Sequence, residues 1–73
     1  KSDAKQIGAP LQGMLSSVLV KKGEKLKKNQ PLFIIEAMKM ETTVTASEDA
    51  IVQRIVLKDG TLVEADDLVL VVS

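Results

Sequence analysis

Displaced by 37 residues, the sequence lies over itself: Ile7–Glu36 aligns with Val44–Ser73 across thirty positions without a gap. Few residues are identical, namely Ala9 with Ala46, Lys21 with Lys58 and Gly23 with Gly60. The apolar pattern carries the repeat instead. Eleven positions are bulky and apolar in both copies, among them Leu15 with Val52, Leu26 with Val63, and Leu32–Ile35 with Val69–Val72. Neither copy alone has enough apolar surface for a core, so the two must bury their apolar sets against each other.

The chain has 73 residues, and below roughly 70–80 residues a single core supplies only ~3–5 kcal/mol unless something staples it. With no Cys there is no disulfide, and with neither Cys nor His the usual zinc ligands are missing, so no metal is expected. Stability must come from dense aliphatic packing. The composition permits it: 45% of residues are apolar, and Phe33 is the only aromatic.

The apolar runs are short, rich in Val and Ile, and separated by Gly, Asn, Asp and Lys, which is the pattern of β-strands. Gly23 and Gly60 follow strand-like runs and suit turns that need positive φ. Asn29 and Asp66 are equivalent in the two copies and also tolerate left-handed backbone. Pro10 and Pro31 stand at run edges, where no ladder N–H is required. Over Gly23–Gln30 a helix is disfavoured, because Leu26 is its only bulky apolar residue. The expected fold is all-β: a flattened β-barrel or sandwich of two antiparallel sheets, three to four strands per half, related by a pseudo-twofold. Residues 1–6 are expected to be a flexible segment, and residues 7–73 the domain.

The repeat leaves a connector between its copies, Ala37-Met38-Lys39-Met40-Glu41-Thr42-Thr43. β-favouring runs on both sides imply a two-residue hairpin turn at Met38-Lys39. Neither Asn-Gly nor Asp-Gly is present, so the flanking strands must impose this turn. Pseudo-symmetry puts Lys39 and the chain ends at opposite ends of the domain. A Met-Lys-Met segment on an exposed tip breaks local preference, and such violations concentrate at functional sites.

Lys39 is not expected to be a nucleophile acting alone. No His or Cys is available as base or thiol. No catalytic residues are therefore expected within the domain.

Charge is uneven although the net is zero. Residues 1–37 carry seven Lys against three acids, a net of +4, and residues 38–73 carry a net of −4. Lys21, Lys22, Lys25, Lys27 and Lys28 form a basic run. Glu24 interrupts it and no aromatic lies near to stack on bases, so a solvated turn is favoured and no nucleic-acid partner is expected. No apolar run reaches the ~18 residues of a membrane span, so no membrane association is expected.

The segment Glu36-Ala37-Met38-Lys39-Met40 resembles the Ala-Met-Lys-Met signature of biotinyl (biotin carboxyl carrier) domains. The resemblance spans residues 7–73 and includes Gly8-Ala9-Pro10, Gly13 and the Gly23 and Gly60 turns. The continuation Glu41-Thr42-Thr43-Val44 is most similar to the C-terminal domain of pyruvate carboxylases. Asn29 and Asp66 stand where this family frequently has Gly, at turns away from Lys39.

The resemblance implies biotin attached covalently to Lys39 by a biotin protein ligase. It implies a non-catalytic carrier that moves carboxyl between biotin carboxylase and carboxyltransferase partners, with ATP and bicarbonate consumed and pyruvate as the acceptor. Glu36, Ala37, Met38, Met40 and Glu41 would then contact the ligase and the partners. The isolated domain is expected to be monomeric, and the location cytoplasmic, or mitochondrial matrix if eukaryotic. Alternatives are a carrier of acetyl-CoA or another acyl-CoA carboxylase, a lipoyl carrier, and an unmodified β-barrel interaction module. Lipoyl domains typically place Asp before the lysine and Ala after it, whereas Met flanks Lys39 on both sides.

Overall fold

The computed structural model describes residues 5–73, and eight strands make up its regular structure. They are β1 (Lys5–Gly8), β2 (Gly13–Val18), β3 (Lys25–Leu26), β4 (Pro31–Ala37), β5 (Met40–Thr45), β6 (Ala50–Ile55), β7 (Leu62–Val63) and β8 (Leu68–Val72). The 37-residue displacement carries β2 onto β6 and β3 onto β7 residue for residue.

The strands form two antiparallel four-stranded sheets, ordered β1-β8-β6-β3 and β5-β4-β2-β7. The sheets face each other as a sandwich, and each remains open at its edges. The halves are interlaced: each sheet takes two strands from each copy, and the pseudo-twofold exchanges the sheets. Neither copy can close a sheet without the other, which is why thirty residues of either carry no core of their own. Lys5 and Gln6, expected within a flexible segment, belong to β1 and pair with Val72 and Val71. The remainder of that expected segment, residues 1–4, lies outside the described residues.

The core is aliphatic apart from Phe33. Leu15, Leu32, Phe33, Ile35, Val52, Val63, Val69 and Leu70 are fully buried, and no buried polar side chain lies among the described residues. Leu32 and Phe33 are buried in succession, against the alternation of a regular strand. The β4–β5 register shifts between Pro31 and Phe33, and this irregularity turns both side chains inward. Val69 and Leu70, their repeat equivalents, are likewise buried in succession. Burying a side chain of Phe or Leu size stabilises by about 1.5–3 kcal/mol, so a few such residues dominate the stability of a domain this small.

Four turns with one positive φ each link the shorter strands. Gly23 (φ 87°) and Gly60 (φ 89°) occupy one equivalent pair, and Asn29 (φ 73°) and Asp66 (φ 74°) the other. Each stands third in a four-residue turn closed by a backbone bond, such as Gln30 N–H to the Lys27 carbonyl at 2.9 Å and Asp67 N–H to the Glu64 carbonyl at 3.0 Å. Side chains brace them: the Lys27 N–H donates to Gln30 Oε1 at 3.0 Å, and the Glu64 N–H to Asp67 Oδ2 at 2.9 Å.

The basic run forms two of these turns. Glu24 within it accepts from the Lys21 N–H and from Gln30 Nε2, both at 3.0 Å, and Asp49 accepts from the Lys28 N–H at 2.9 Å. Carboxylates thus hold the lysine-rich backbone in place while the lysine side chains remain exposed.

Candidate functional site: the Lys39 hairpin

β4 and β5 pair from Pro31↔Thr45 to Ala37↔Met40, leaving Met38 and Lys39 as the turn. Both have positive φ, 50° at Met38 and 68° at Lys39, the pattern of a type I′ hairpin turn. A non-glycine residue in left-handed backbone costs roughly 1–2 kcal/mol. Neither is Gly, Asn or Asp, so the strand pairing holds the turn, as the sequence implies.

Lys39 is exposed, and among the described residues neither a hydrogen bond nor an ion pair holds its amine. The one ion pair there joins Lys5 to Glu48. The Lys39 amine therefore stands free in solvent on a backbone that the strands fix. This geometry suits an amine that receives an acyl group from outside.

Of the other sequence-predicted residues, Glu36 and Glu41 face each other across β4 and β5, Ala37 pairs with Met40, and Met38 lies in the turn itself. The structure therefore brings all five around Lys39. Gly23, Gly60, Asn29 and Asp66 hold turns elsewhere in the sandwich.

The structure adds a groove that sequence reasoning missed. About 850 Å³ of open space lies beside the hairpin, lined by Leu11–Met14, Glu36–Met38, Leu62–Glu64 and Asp67. Met14 pairs with Glu36 on one side and with Leu62 on the other, so one ladder row joins β4, β2 and β7. Leu62 is 79% exposed, a large apolar side chain presented to water. Gly13 allows β2 to approach the hairpin closely. A Cβ there would stand 2.6 Å from the Glu36 carbonyl oxygen, 2.9 Å from Ile35 Cγ2 and 3.1 Å from Ala37 Cβ.

The far end carries the twofold image of this groove. It holds about 420 Å³, lined by Lys25–Lys27, Asp49–Ile51 and Ser73. The chain reaches it as β2 runs away from the hairpin and the Gly23 N–H then donates to the Val52 carbonyl at 2.8 Å, beside the start of β6. Ser73 exchanges backbone bonds with Ile51 there, so Ser73 and Lys39 occupy opposite ends, as the repeat implies. The repeat alignment held a signal for the missed groove: Leu62 stands opposite Lys25, and Gly13 opposite Ala50.

Comparison with known proteins places this geometry in context. The sequence pattern of the family described as "Biotin-requiring enzyme" matches residues 5–72. A pyruvate carboxylase of Staphylococcus aureus (strain Mu50 / ATCC 700699) is 41% identical over 70 residues, which cover 96% of this chain and 6% of that protein. A solved single-chain, multi-domain long-chain acyl-CoA carboxylase superposes with a TM-score of 0.92 at 26% identity, covering 96% of this chain and 7% of the other. The lipoyl domain of the 2-oxoglutarate dehydrogenase complex from Azotobacter vinelandii superposes with a TM-score of 0.81 at 26% identity, covering 93% and 94%. The chain thus spans a small fraction of the carboxylases it resembles and nearly all of the lipoyl domain.

Proposed function

The chain belongs to the biotin-requiring enzyme family, and from that premise we propose that Lys39 carries biotin as an amide on its side-chain amine. The observation that carries this reading is the free Lys39 amine at a turn of two positive-φ residues, flanked by exposed Met38 and Met40. Bound biotin would supply a ureido nitrogen able to accept and release a carboxyl group.

The residues of this chain present and position that group, and they perform no bond chemistry. The paired strands β4 and β5 fix where the arm begins. Tethering raises the effective concentration of the group at each site it visits. Met38 and Met40 supply adaptable apolar contact to whatever docks on the hairpin, and Glu36 and Glu41 flank it with charge. Amide formation removes the Lys39 charge and takes the net charge from zero to about −1.

The parent activity proposed is ATP- and bicarbonate-dependent carboxylation of pyruvate, with the domain as the non-catalytic carrier of a carbon–carbon-forming ligase. Identity of 41% over 70 residues to a pyruvate carboxylase supports pyruvate as the acceptor. The proposed partners are a biotin protein ligase, a biotin carboxylase domain and a carboxyltransferase domain, with the isolated domain monomeric. The proposed location is cytoplasmic, or the mitochondrial matrix in a eukaryote.

A lipoyl carrier is the second reading, favoured by the close superposition on a lipoyl domain. The residues beside the lysine oppose it, since Met occupies both positions. Intact mass spectrometry separates the two. With biotin, ATP and a biotin protein ligase the chain gains one biotinyl group, and Lys39→Arg gains none. A gain with lipoate and its ligase alone, or no gain with either, overturns the biotin reading.

A further inference from the structure

Resting on the reading of Lys39 as the biotin-bearing residue, we propose that Met38 and Met40 form an oxidation-sensitive modification site. Conversion of their thioethers to sulfoxides by a peroxide slows attachment of biotin at Lys39, and reduction restores it.

The composition isolates this chemistry. The chain has no Cys, His, Trp or Tyr, so its readily oxidised side chains are three methionines, Met14, Met38 and Met40. Two of the three flank Lys39. They are also the most exposed of the set: Met38 is 94% accessible and Met40 71%, against 38% for Met14. Met14, in β2 between Glu36 and Leu62, is the least exposed of the three. Susceptibility of a thioether rises with its exposure, so Met38 and Met40 are expected to oxidise ahead of Met14.

The step is a two-electron oxygen transfer. The Met sulfur attacks one oxygen of hydrogen peroxide and the O–O bond breaks. The sulfur retains that oxygen as a sulfoxide, and the other oxygen leaves as water. No thiol in the chain competes for the oxidant.

The consequence is confined to the hairpin surface. Neither Met38 nor Met40 belongs to the buried core, so their oxidation leaves the packing of the sandwich intact. What changes is the chemistry beside Lys39. A flexible apolar side chain becomes a polar, chiral one, and the surface that a ligase would bury acquires two strong acceptors. Sulfoxides are reducible enzymatically, one reductase serving each epimer, so the change is reversible.

Two measurements test this. Peptide mapping after graded hydrogen peroxide, with no ligase present, is expected to show Met38 and Met40 oxidising on the order of threefold faster than Met14. Equal rates at all three positions would overturn the site. The initial rate of ligase-catalysed biotinylation is then expected to fall about tenfold in the oxidised chain and to recover after treatment with both sulfoxide reductases and a thiol. The circular dichroism spectrum and melting temperature should not change. The double variant Met38→Leu, Met40→Leu should keep its own rate through peroxide treatment. An unaltered rate in oxidised wild-type protein, or an equal loss in the double variant, contradicts the proposal. If unoxidised wild-type protein accepts no biotin, the functional reading fails and the rate effect fails with it, while the mapping still decides the order of oxidation.

Discussion

The two ends of the sandwich share a backbone and differ in chemistry. At one end Gly13, Met14, Leu62 and Glu64 line a groove beside Lys39. At the other, their repeat equivalents Ala50, Ile51, Lys25 and Lys27 line a groove about half as large, beside Ser73. The turns, register shifts and buried positions are common to both ends, so these belong to the fold. Two differences lie beside Lys39: an exposed leucine, Leu62, in place of Lys25, and a glycine, Gly13, in place of Ala50. The duplicated architecture acts as an internal control, separating what holds the sandwich together from what is particular to the hairpin.

Exchanging residues between the ends sharpens this contrast, and the largest expected effect lies at Gly13. Gly13→Ala forces a Cβ against the Glu36 carbonyl and Ala37, and overpacking of this kind costs about 1–3 kcal/mol. The mirror change Ala50→Gly removes a methyl from a strand that already accommodates it and costs about 0.5–1 kcal/mol. Urea denaturation midpoints of the two variants check the asymmetry, and equal losses would show that β2 does not depend on its close approach to the hairpin.

A smaller effect, of opposite sign, is expected at the turn. Met38→Asn places a residue that tolerates left-handed backbone where φ is 50°, and should raise stability by about 0.5–1 kcal/mol. The same variant should accept biotin several-fold more slowly, because it removes an exposed thioether from the lysine's neighbour. Unfolding and ligase kinetics on one preparation test both. A gain in stability with unchanged kinetics would mean that Met38 has no contact role.

The least effect is expected where the ends differ only on the surface. Leu62→Lys and Lys25→Leu each make one end resemble the other, and each should change the unfolding free energy by less than about 0.5 kcal/mol. A thermal shift larger than a few degrees in either variant would assign these side chains a role in the fold rather than at the surface.

Much of this was legible in the sequence for physical reasons. The repeat survives as aliphatic positions because both copies must fill the same core, and Gly23, Gly60, Asn29 and Asp66 mark turns because few residues tolerate positive φ. Lys39 was legible because Met-Lys-Met is a poor turn sequence in a place that needs a turn. The interlacing of the halves was not, since pairing of β1 with β8 and β2 with β7 joins residues about fifty or more positions apart, which no local pattern records. For the same reason the groove was missed: Met14 and Leu62 meet only once β2 and β7 pair. Lys5 and Gln6 are short of apolar residues and looked like a tail, yet the free edge of β8 recruits them as a strand.

The central claim is that fold and sequence single out one amine among nine lysines. Tandem mass spectrometry of peptides from the ligase-treated chain tests it most directly. The biotinyl group should map to Lys39 alone, with Lys21, Lys22, Lys25, Lys27 and Lys28 unmodified although they too are exposed. Biotin distributed over those turn lysines, or found on them in place of Lys39, would contradict the claim that the hairpin selects the site.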